Sequence, residues 1–138
     1  MRTARVVAKG AYEKVGIKNL RGEISLMEVH DGIFITELVT MEGLFVSAGR
    51  RATPSILKAF FDRQSQGIPC QVGGSLEYFG RPVGAGGLRA AYVIHTRLLG
   101  RADKRWLDAP CIGLLHNASG YAPFGRSRSA HFGPAYFS

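Results

Sequence analysis

Two arginines bracket a glycine-rich stretch, Phe79-Gly80-Arg81-Pro82-Val83-Gly84-Ala85-Gly86-Gly87-Leu88-Arg89, with Tyr78 just before it and Tyr92 just after. Guanidinium groups pair with phosphate oxygens and aromatic rings stack on bases, so this spacing suits a loop that tracks a single nucleic-acid strand. Arg81 and Arg89 are the phosphate candidates, and Tyr78, Phe79 and Tyr92 the stacking candidates. Arg50 and Arg51 stand just before Thr53-Pro54, where a capped helix start would add unpaired N–H groups to an anion site. Arg101, Lys104 and Arg105 would prolong the same path. The stretch is not a nucleotide fingerprint: Gly84-x-Gly86-Gly87 lacks the Gly-x-Gly-x-x-Gly spacing and a Lys-Ser/Thr ending. For each cluster taken alone, solvated surface charge is the plain alternative.

Catalysis would have to draw on His30, His95, His116 or His131, with Cys70, Cys111, Asp31 or Asp108. A Cys–His nucleophile needs a depressed thiol pKa and close geometry, which spacing does not supply. No two histidines lie within five residues of each other and no Cys/His cluster is present, so no metal site, cofactor or catalytic residue is assigned. Cys70 and Cys111 sit in apolar settings, as buried free thiols do. Trp106 could stack on a base, but beside Leu107 it reads first as an anchor to the core.

Charge is sorted by position. Residues 1–21 hold six Lys/Arg and one acid, residues 22–49 five acids and no base, and residues 50–138 twelve Lys/Arg and four acids, for a net +8. Folding the two basic blocks onto one face would make a positive strip suited to phosphate polymers. The acids Glu23, Glu28, Asp31, Glu37 and Glu42 read as the solvated side of a hairpin, or as a face for the basic part of another copy.

At 138 residues and 46% hydrophobic content the chain is expected to form one domain burying roughly two-thirds of its unfolded surface. No apolar run approaches the ~20 residues that span a bilayer, and no secretory signal opens the sequence, so a cytoplasmic protein without membrane contact is expected. Residues 23–29 and 33–39 are rich in β-formers around His30-Asp31-Gly32, a hairpin signal, and Leu44–Ser47 follows as a third strand. Thr53-Pro54 starts a helix that Gly67 ends, with Ile56, Leu57, Phe60 and Phe61 on one side. Cys70–Phe79 and Leu88–Leu99 complete the pattern as strands, with a helical turn near 102–107 and a last strand at 111–115. The expected fold is thus α+β or mostly β, a small antiparallel barrel.

This order, β-β-β-α-β-β over about residues 22–99, resembles the oligonucleotide-binding (OB) fold, in which the helix falls between the third and fourth strands. The resemblance implies that the connection at 80–87 overhangs a binding groove. Bacterial single-strand binding proteins of that fold end in an acidic tail, whereas this chain ends in Arg126, Arg128, His131 and rings. A globular part, 1–116, is therefore expected to carry an extended segment, 117–138, whose Tyr121, Phe124, Arg126, Arg128, Phe132, Tyr136 and Phe137 would contact RNA, single-stranded DNA or a neighbouring subunit.

The function expected on these grounds is binding of single-stranded DNA or RNA with little sequence preference. A structural or assembly subunit of a phage particle or ribonucleoprotein, forming oligomers through its aromatic tail, is the alternative from another class. A small enzyme acting on a phosphate-bearing substrate is the third.

Overall fold

A computed structural model describes residues 2–47, 67–82, 84–102, 110–119 and 126–132. Helix α1, Arg2–Val15, buries Ala4, Ala8 and Tyr12, spaced four apart on one stripe. Its outer face carries Lys9 and Glu13, 4.0 Å apart. Gly16, at φ +78°, ends the helix, and its N–H and that of Ile17 both donate to the Tyr12 carbonyl. Helix α2, Leu20–Glu23, is one turn, and its Glu23 carboxylate reaches back to the Lys18 and Asn19 N–H groups at 2.9 and 2.6 Å. These two bonds hold the Glu23 carboxyl below its ordinary pKa.

Strand β1, Leu26–Glu28, follows, then helix α3, Phe34–Gly43. Helix α4, Leu76–Phe79, is short and starts at Ser75, whose hydroxyl accepts from the Glu77 N–H. Helix α5 is Gly86–Leu98 and strands β2 and β3 are Gly113–Ser119 and Arg126–Phe132. The sheet order is β1-β2-β3, with β1 parallel and β3 antiparallel to β2. Outside the named strands, Met27 makes a parallel bridge to Cys70 on the other edge of β1.

Alternation along the strands sends side chains into two apolar layers. Leu26 and Leu115 meet Ile94, Ala90, Ala91 and Leu98 of α5 on one face. Met27, Val29 and Leu114 meet Ala8, Tyr12, Met41 and Leu44 on the other. Helices therefore cover both faces of the parallel pair, which is why all three residues of β1, Glu28 included, are buried. Gly113 stands where a Cβ would overlap the Ile94 side chain, so helix and sheet can approach closely only over a glycine.

The expected barrel is corrected on several counts. An open mixed sheet flanked by helices replaces it, and the OB-like strand order is absent among the described residues. His30-Asp31-Gly32 is not a hairpin turn but the link from β1 into α3, so the expected second strand, 33–39, is helical. Leu44–Ser47 forms turns and a bend, residues 70–79 hold a bridge and a helical turn, and Leu88–Leu99 lies almost wholly within α5. The physical reason is length and period. A twelve-residue stretch exceeds the ~5–6 residues of an ordinary strand, and its inward positions, Ala90, Ala91, Ile94 and Leu98, follow the helical repeat. The last expected strand, 111–115, overlaps β2. The helix expected after Thr53-Pro54 and the turn near Trp106 lie outside the described residues.

Candidate functional site at the carboxyl end of the parallel strands

In open sheets with helices on both faces, the carboxyl ends of parallel strands leave a crevice where polar groups collect. β1 runs out of the sheet into Glu28-Val29-His30-Asp31, and β2 carries His116-Asn117 alongside. Asn117 Oδ1 lies 3.1 Å from His30 Nδ1 and joins the two strands. The first turn of α5 closes the third side: a Cβ on Gly87 would sit 2.7 Å from Asn117 Nδ2. Between these groups lies a cleft of about 10 Å³, space for a single water-sized molecule.

Burial sets the protonation of the cluster. Glu28, 1% exposed, is pushed up to about 7 by burial, against the Gly73 N–H bond and the charges of Arg97 and Arg89, with Asp31 adding to the rise. His116 is pushed down to about 4 by burial and by nearby His30, so it is neutral at pH 7. Burial raises Glu37 too, with Asp31 adding to it, and the Cys70 thiol donates to Glu37 Oε1 at 3.6 Å. Burial and the carboxylates of Glu37, Glu28 and Asp31 push the Cys70 thiol well above its ordinary value, the reverse of an activated nucleophile. Among the described residues no group of His, Cys, Asp and Glu is arranged to hold a metal ion.

Side chains also hold the segment that walls the cleft. Gln71 mimics a strand neighbour, accepting from the Val29 N–H at 3.3 Å and donating to the Val29 carbonyl at 2.6 Å. Glu28 accepts from the Gly73 N–H at 3.0 Å, and both Asp31 oxygens accept from the Leu76 N–H at 3.0 and 3.2 Å. Arg89 donates to the Gly73 and Gly74 carbonyls at 2.7 and 3.0 Å and lies 4.1 Å over the Phe79 ring.

The residues singled out in the sequence are thus sorted. Arg89 and Phe79 come together, but against each other and the chain's own backbone. Tyr78 is 88% and Tyr92 69% exposed. Arg81 is exposed and donates to the Gly32 carbonyl at 3.2 Å; Arg101 is exposed beyond the end of α5. Arg126, Arg128 and Phe132 lie on β3, opposite Ser119, Asn117 and Gly113. Arg50, Arg51, Lys104, Arg105, Tyr121, Phe124, Tyr136 and Phe137 lie outside the described residues, as does Asp108. His95 is on α5, and His131 on β3. Both cysteines are thiols rather than disulfide partners, but the expected full burial is corrected: Cys70 is half-buried, and Cys111, which precedes β2, is exposed. Glu28, Gln71 and Asn117 were not signalled as a cluster; an acid inside the apolar run Ile24–Val29 was the one local sign.

A second hollow, about 400 Å³ and shallow, lies between the end of α1 and Phe45, and is floored by Tyr12, Ile17 and Leu20. Among the described residues no helix is long and apolar enough to cross a membrane.

No family model matches the sequence. Over 103 residues the chain is 35% identical to an acetyl-CoA acetyltransferase of Methanothermobacter thermautotrophicus, a match that takes in 72% of this chain and 26% of that protein. The chain thus spans about a quarter of the length of the relative it matches. Since 72% of 138 residues is about 99, any continuous stretch of that size includes residues 40–99, and with them Gln71, Gly73, the glycine-rich connection and Arg89.

Proposed function

We propose that this chain binds a coenzyme A thioester at the carboxyl end of β1 and β2 and serves acyl transfer of the kind its relative is named for. The 35% identity to an acetyl-CoA acetyltransferase carries this reading, because the matched stretch necessarily includes one wall of the cleft. The polar lining supports it: an N–H of His30, His116 or Asn117 can donate to a thioester carbonyl, and Glu28 exchanges its proton near neutral pH. The net charge of +8 suits the phosphates of the coenzyme. Cys70, held protonated, takes no nucleophilic role in this reading. Two cysteines kept as thiols fit a reducing, cytoplasmic setting.

Calorimetric titration with acetyl-CoA is the test. Saturable heat that an Asn117→Ala substitution weakens at least several-fold is the expected result. No binding of acetyl-CoA or of free coenzyme A at millimolar concentration would reject the reading.

Single-stranded nucleic acid is the second reading, favoured by the exposure of Tyr78 on α4, of Tyr92 on α5 and of Arg81 between them in sequence, in a chain of net charge +8. In that reading the residues after β3, with Tyr136 and Phe137, add contacts to the strand or to another subunit. Fluorescence anisotropy of a labelled oligonucleotide, with and without Tyr78→Ala, reads it directly.

A further inference from the structure

The cleft admits nothing larger than water as it stands, and two residues of its lining, Gln71 and Leu76, are the ends of one short segment. Gln71–Leu76 has almost no regular structure; it crosses from the edge of β1 to the start of α4 and is pinned by side chains from both sides. It bends twice through the left-handed region, at Gln71 with φ +55° and at Gly74 with φ +94°. Gly74 packs so closely on the Phe79 ring that a Cβ there would overlap it, and the Arg89 guanidinium lies over the same ring. The pins are unlike in kind: Arg89 is a permanent cation, whereas Glu28 is a carboxyl group buried on β1.

We propose that Gln71–Leu76 is a lid over the cleft, latched by Glu28, Asp31 and Arg89, and that loss of the Glu28 proton favours its opening. A buried carboxylate is costly unless paired, and lifting Gly73 away from Glu28 lets water reach it. The groups that face Glu28 are Arg89 and Arg97 from α5, Asp31 from the end of β1, Cys70 from the neighbouring edge, and His30 and His116 across the cleft. The Gly73 N–H and the two arginines favour the ionised form, Asp31 disfavours it, and burial outweighs those three in the closed state, which therefore holds a proton that the open state releases. Opening is then linked to pH, and the segment admits a ligand more readily above neutrality than below it. The lid is independent of which ligand enters.

Hydrogen exchange of residues 71–76 in the wild-type protein and in Glu28→Gln, at pH 6 and pH 8, tests it. The amide introduced by that substitution keeps an acceptor for the Gly73 N–H and cannot ionise, so the variant also corrects for the intrinsic pH dependence of exchange. Protection of the segment should fall about tenfold more in the wild type than in Glu28→Gln between the two pH values, as expected for a carboxyl moving from about 7 when closed to about 4.5 when open. If that variant does not fold, the wild type alone suffices: residues 71–76 should lose about tenfold more protection than Leu114–His116 of β2 over the same range. Equal changes in the two segments, or in the two proteins, would overturn the proposal. Arg89→Gln should expose 71–76 at both pH values and, because it removes a charge that favours ionised Glu28, should raise the pH ratio rather than lower it; an unchanged segment in that variant would remove Arg89 from the latch.

Discussion

Single buried groups at the strand ends make the stability of this protein depend on pH in two opposed ways. Glu28 holds its proton up to about pH 7 when folded, while an ordinary glutamate releases it near 4.5, so its contribution is complete below 4.5 and is lost as pH rises through 7. His116 is neutral down to about pH 4 when folded and ordinarily protonates near 6.5, so its contribution is complete above 6.5 and is lost as pH falls through 4. Between 4.5 and 6.5 the two slopes cancel, which leaves a plateau with a decline on each side. Urea midpoints at pH 5 and pH 8 read the difference: Glu28→Gln should gain on the wild type by about 2 kcal/mol on going from pH 5 to pH 8. A constant gap between the two proteins would mean that Glu28 is not buried as a neutral acid.

At the level of elements, the sequence was legible where local chemistry and tertiary packing agree. β2 could be foreseen in part because Cys111–Leu115 is a short apolar run after a proline. α3 could not, since Ile33-Phe34-Ile35-Thr36 carries strong β preference, and its helical form is selected by packing of Met41 and Leu44 against α1. The close approach at Gly43, where a Cβ would lie 3.2 Å from that of Ala4, is part of that contact. The glycines at 84–87 misled in the same way. They resemble a hairpin loop, yet two of them open α5, where Gly87 makes room for Asn117. Two substitutions test these contacts. Gly113→Ala forces Ile94 off the sheet and should destabilise the fold by about 1–3 kcal/mol. Tyr12→Phe removes the 2.7 Å hydrogen bond from α1 to the Leu44 carbonyl and should cost about 1–2 kcal/mol, read from thermal midpoints.

The whole molecule depends on one pairing that no local pattern carries: Leu26 lies beside Gly113, far along the chain, and only this parallel register brings Glu28 and His30 to His116 and Asn117. The candidate site was illegible for the same reason, whereas the charge of the molecule was legible from composition alone. That charge also offers a way to separate the two functional readings. A strand that lies along the protein releases condensed counterions at every phosphate it contacts, and log Kd then rises with log salt at a slope of about 0.7 per phosphate. A coenzyme has only a few phosphates at one end, and its thioester enters a cleft shielded from bulk ions. Between 50 and 300 mM NaCl, acetyl-CoA affinity should therefore change by less than about tenfold, and oligonucleotide affinity by much more if binding follows the basic surface. Acetyl-CoA binding as steeply salt-dependent as that of the oligonucleotide would place it on the outer charged surface and remove the cleft from the reaction.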